Sequence, residues 1–113
     1  MNYVCRIGNS FEIKQILNKN NISDIFMYCC INGYLKMVKF LLYLENTYGK
    51  INIHVENHNA FRGSCENGHL EIVKFLLSLE KTHGKINIHT KNEHVFRYSC
   101  EYGHLEIFII FRK

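Results

Sequence analysis

Residues Ile51-Asn52-Ile53-His54 through Glu71-Ile72 recur almost unchanged as Ile86-Asn87-Ile88-His89 through Glu106-Ile107, a shift of 35 residues. A fixed period of this size marks stacked supersecondary units, none of which can bury its apolar face alone. Stacks of this kind present a surface more readily than they enclose a reaction centre. The period therefore directs attention to binding before any single residue does.

Within one period three textures alternate. Ile51-Asn52-Ile53-His54-Val55 alternates apolar and polar residues, which predicts a short extended segment. Asn57 to Asn59 supplies turn chemistry and a possible helix cap in Asn59. A short helix is expected from Ala60 to Glu66, packing through Phe61, Ser64 and Cys65, and ending at Asn67-Gly68 because Gly tolerates positive φ. A second helix then starts near His69 and stops near His83-Gly84. It turns Leu70, Val73, Leu76 and Leu77 inward and Glu71, Lys74, Ser78 and Lys81 outward.

The same shift carried upstream pairs Cys30 with Cys65, Gly33 with Gly68, Leu35 with Leu70, and Gly49-Lys50 with Gly84-Lys85. The chain thus divides into a divergent leading unit or N-terminal cap at residues 1–23 and full units at residues 24–50 and 51–85. A last unit at residues 86–113 is truncated at its second helix. There the expected Val-Lys-Phe-Leu-Leu is replaced by Phe108-Ile109-Ile110-Phe111-Arg112-Lys113. An apolar run in a terminal repeat predicts loose packing or self-association, and fits a fragment of a longer array.

At Asn67-Gly68-His69-Leu70-Glu71-Ile72-Val73-Lys74-Phe75-Leu76-Leu77 the sequence resembles the ankyrin repeat. Its length, multiplicity and asparagine- and isoleucine-rich style look like the divergent arrays encoded by large DNA viruses. The resemblance covers about residues 24–107 and implies an all-α solenoid of antiparallel helix pairs with short extended loops, acting by protein binding. One departure is the first-helix start, which reads Asn59-Ala60-Phe61-Arg62 where the family has Thr-Pro-Leu-His. The other is a slightly longer period, with the extra length in the connection between Glu80 and Gly84.

Composition narrows the alternatives. A net charge of +4 and a pI near 8.8 are mild, short of the clustered basic face of a nucleic-acid binder. Lys39, Lys74, Lys50 and Lys85 could at most form a weak ridge for a polyanion. Five cysteines form an odd set, and Cys65 and Cys100 share a repeat position, so they read as small buried side chains in a reducing interior. The seven histidines fall in no zinc-binding spacing, and no motif carries a catalytic mechanism. The expectation is a non-catalytic intracellular protein without cofactor or membrane span, binding an unidentified protein partner. Whether it acts in the cytoplasm or nucleus, or inside a virus-infected cell, the sequence leaves open.

Comparing the two best copies locates a candidate surface. Phe61/Phe96, Cys65/Cys100 and Leu70/Leu105, expected to be buried, match, but Val55/Thr90, Glu56/Lys91, His58/Glu93, Asn59/His94, Gly63/Tyr98 and Asn67/Tyr102 differ. These positions lie in the projecting loop and along the first helix, where core requirements do not force repetition. Val55, Glu56, His58, Arg62, Lys91, Glu93, His94, Tyr98 and Tyr102 are accordingly the candidate partner-binding residues.

Overall fold

A computed structural model describes residues 10–86. The third copy, the apolar C-terminal run, Cys5 and Cys100 lie outside the described residues, as do Lys91, Glu93, His94, Tyr98 and Tyr102. The described helices are α1 (Ser10–Ile16), α2 (Ile22–Ile31), α3 (Leu35–Tyr48), α4 (Val55–Glu66), α5 (Leu70–Ser78) and α6 (Glu80–His83). The architecture is all-α, and no strand occurs among the described residues.

Both described helix pairs are joined by the same hydrogen-bonded turn. The Tyr34 amide donates to the Cys29 carbonyl at 2.9 Å and the Gly33 amide to Cys30 at 3.2 Å; His69 to Ser64 and Gly68 to Cys65 repeat both distances. This is the Schellman pattern, which needs a left-handed residue directly after the helix cap. Gly33 and Gly68 supply it at φ 81° and 74°. The ring of His69 lies directly over Gly33, where a Cβ would stand 2.7 Å from it, so the turn of one pair seats the turn of the next.

Stacking is carried by first helix on first helix, α4 against α2. Phe26 and Phe61, one period apart, are 0% and 3% exposed, and Cys29, Cys30 and Cys65 are buried beside them. Val73 and Leu76 of α5 are buried as their spacing predicts, whereas Leu70 and Leu77 are only half-buried. Ile72, which the single-face reading leaves out, is fully buried, as is its counterpart Met37. The stripe is wider than one helix pair requires because a helix inside a stack is covered by neighbours on both flanks.

Ile51 and Ile53 are buried and Asn52 is exposed, so the predicted alternation holds although the segment is a loop. Its start is fixed twice in the same way: the Ile51 amide donates to the Glu45 carboxylate at 3.1 Å, and the Ile86 amide to Glu80 at 2.8 Å. The second helical path ends at Gly84 as expected, but α5 breaks at Leu79, where α3 runs unbroken to Tyr48. The break falls beside Ser78, whose hydroxyl donates back to the Phe75 carbonyl, a contact that bends helices. The matching residue of α3 is Tyr43, which cannot make it.

Asparagines close the short link from α1 to α2. Asn18 Oδ1 accepts from the amides of Asn20 and Asn21, while Asn21 reaches back to the Asn18 amide and the Ile16 carbonyl. Helix α1 and the residue after it bury Ile13 and Leu17 in the common core.

Ser64 is the buried polar residue of the described core, at 0% exposure. Its hydroxyl lies 2.6 Å from the Ala60 carbonyl of its own helix and 3.0 Å from the Cys30 carbonyl of α2. Ser64→Ala should lower stability by about 1–2 kcal/mol by removing a buried donor from the stacking seam. A urea titration followed by far-UV circular dichroism reads this directly.

Candidate functional site

The four described candidate residues all lie on α4, three of them in its first turn. Glu56 is exposed, and Val55, His58 and Arg62 are half-buried. The loop that brings them out is tied at several points. The Asn52 amide donates to Ser23 Oγ of α2 at 2.9 Å, and the His54 amide to Asn52 Oδ1 at 2.9 Å. His54 Nε2 lies 2.7 Å from the His83 carbonyl and His54 Nδ1 3.0 Å from His58 Nδ1. Arg62 Nη2 donates to the Glu56 carbonyl at 3.2 Å.

The first turn of α4 departs from right-handed geometry, with Glu56 and His58 at φ 52° and 63°. This explains why the sequence places turn chemistry at Asn57 to Asn59 although helical hydrogen bonding begins at Val55. Asn59 does not cap the helix; its amide reaches Glu56 Oε2 at 3.4 Å and the Met27 sulfur at 3.7 Å. Left-handed geometry at non-glycine residues costs of order 1 kcal/mol each and persists where surroundings over-determine it. Glu56→Gly should accordingly raise stability by about 0.5–1 kcal/mol while deleting an exposed carboxylate. A gain in thermal midpoint by calorimetry checks it.

Two of the positions that differ between copies are structural. Gly63 is buried against α2, and Asn67 donates its side-chain amide to the Ile31 carbonyl at 3.0 Å across the seam. Gly63 therefore lies inside the stack and not on its surface.

The sequence comparison passes over His54, His83 and Glu45. His83 Nε2 lies 2.9 Å from Glu45 Oε2 and ties α6 to α3. Lys50 Nζ reaches the Thr82 carbonyl at 2.8 Å, fastening the same corner. His54 escapes because His89 repeats it, so a search for differences discards it. The signal that finds it is the four-residue spacing from His58, which sets two rings on one side of a helical turn.

Other chemistry has little footing here. Burial pushes the thiols of Cys30 and Cys65 well above the usual range, so they are protonated and not poised as nucleophiles. Among the described residues, no group of three or more His, Cys, Asp or Glu side chains converges as a metal site. Of the candidate basic ridge, Lys39 lies 5.8 Å from the Phe75 ring centroid, Lys50 is held at Thr82, and Lys74 pairs loosely with Glu71 at 4.0 Å. No described helix is long and apolar enough to cross a membrane.

Helix hairpins stacked in register through the same turn at Gly33 and Gly68 define a repeat protein of the α-solenoid class. The family model for ankyrin repeats matches residues 26–112 in three copies, and the chain belongs to that family. Ankyrin repeats are in general protein–protein interaction modules. Comparison with curated proteins and with solved structures gives no match.

Proposed function

We propose that this chain is a non-catalytic scaffold that binds a protein partner through its projecting loops and first-helix face, with Val55, Glu56, His58 and Arg62 in the contact surface. Lys91, Glu93, His94, Tyr98 and Tyr102 extend that surface into the next unit. The observation that supports this reading is the start of α4, where an exposed Glu56 in left-handed geometry sits on a loop tied to α2, to His83 and to itself. A surface held this way loses little conformational entropy on association.

The asparagine- and isoleucine-rich divergence supports a narrower reading, that the array is of the kind large DNA viruses encode and the partner a host-cell protein. The buried thiols of Cys30 and Cys65 fit a reducing compartment. The test is affinity capture with the intact chain, followed by binding measurements on a recovered partner. Combined substitution of Glu56, Tyr98 and Tyr102 should weaken that partner at least about tenfold with helicity unchanged. Equal binding by the substituted chain would overturn the assignment of this face.

A further inference from the structure

We propose that His54 and His58 form a proton-operated clasp on the projecting loop, closed while the pair carries at most one extra proton and opened by the second. The proposal rests on the reading above only for its consequence, since the clasp itself is observable without a partner.

The hydrogen bonds dictate the tautomers. A carbonyl only accepts, so His54 Nε2, 2.7 Å from the His83 carbonyl, carries its hydrogen. In the neutral ring Nδ1 is then a lone pair. His58 Nδ1, at 3.0 Å from it, must be the donor. A first extra proton goes to His58 Nε2 and leaves both bonds intact. A second has only His54 Nδ1 to occupy, which is the acceptor, and two N–H groups then face each other. The rings meet edge to face with centroids 4.9 Å apart, so two imidazolium charges repel at close range.

The surroundings already oppose the first charge, the one on His58. Burial first, then His54 and Arg62, hold His58 below the ordinary imidazole range. Helix α6 faces the pair with the His83 carbonyl, while the His83 ring is turned to Glu45 of α3. Glu56 meets the Asn59 amide, and Lys50 is held on the Thr82 carbonyl. Helix α2 meets the flanking Asn52 and Asn59 with the uncharged Ser23 and Met27. No described carboxylate makes an ion pair with either ring of the clasp.

The sign follows from linkage. His58 binds its proton less readily when folded than when unfolded, so its contribution is fully present above the unfolded value near 6.5. That contribution is lost as the pH falls from there toward the depressed folded value. Opening frees the backbone bond from the His58 amide to the His54 carbonyl, and with it the segment carrying Val55 and Glu56.

The experiment is a nitrogen-15 titration of the full chain from pH 8 to 5, with amide protection factors measured alongside. The expected result is an Nε2–H tautomer for His54 at pH 8, coupled two-step titration of the pair, and a fall of about tenfold or more in His58 amide protection with the second step. His58→Phe should abolish the pH dependence of loop protection. His54→Gln, with no second ring to charge, should abolish it as well. An Nδ1–H tautomer for His54 at pH 8, independent titration of the two rings, or constant protection through pH 5 would each overturn the clasp. If the clasp is observed but substituting Glu56, Tyr98 and Tyr102 leaves a partner bound equally well, the clasp stands and the interface reading falls.

Discussion

Phe26→Ala should destabilise the chain by about 3–5 kcal/mol and abolish a cooperative unfolding transition at room temperature. The side chain is completely buried in α2, which packs against both α3 and α4. Its removal opens a cavity at the junction of two helix pairs. The surroundings cannot collapse into it without shifting α4, whose own Phe61 sits one period on. In a stack, stability is the sum of weak units and the interfaces between them, so a defect at an interface weakens both sides. Far-UV circular dichroism against urea gives the measurement. Phe26→Leu, which keeps most of the volume, should cost less than about 1.5 kcal/mol. A similar midpoint for the alanine variant and the natural chain would show that Phe26 does not bridge the pairs.

The second large effect arises where the repeat comparison misleads. Position 63 is glycine, while its counterparts one period away are Tyr28 and Tyr98, so the sequence suggests a permissive surface site. A Cβ built on Gly63 would stand 2.6 Å from Cγ1 of Ile31 and 3.4 Å from its Cβ. Cγ1 is close to the backbone and β-branching locks the rotamer, so Ile31 cannot swing aside without the helix moving. Gly63→Val should therefore cost about 1–3 kcal/mol, despite the better helix propensity of valine. Shrinking the obstacle separates a clash from a general loss of helix. Ile31→Ala in the same chain should recover at least about 1 kcal/mol, measured as the coupling in a double-mutant cycle. Additive losses would place the cost of valine somewhere other than the contact with Ile31.

These two sites show where the sequence is readable. The 35-residue shift is enough to specify helix pairs, their glycine turns and most of the core, because each requirement is local. A left-handed residue after the helix selects Gly33 and Gly68, and an apolar stripe selects Val73 and Leu76. The repeated Glu45 and Glu80 also stand in the sequence. Their role of holding the amides six residues on becomes visible only when the chain turns back on itself. Part of the candidate face is legible by the same logic, since Glu56 varies between copies and is exposed. The rest is not, because a difference between copies marks either a free surface or a changed neighbour.

What the sequence determined alone is the unit: its period, its two helices, its turns and the family to which it belongs. Periodicity and turn chemistry depend on residues a few positions apart, and these are written in order along the chain. Tertiary structure decided how one unit meets the next. It buried Gly63 against Ile31, seated His69 on Gly33, tied His83 to Glu45 and joined His54 to the His83 carbonyl. Contacts of that kind depend on the distance between backbones roughly a period apart, a quantity set by packing and not encoded by either residue alone.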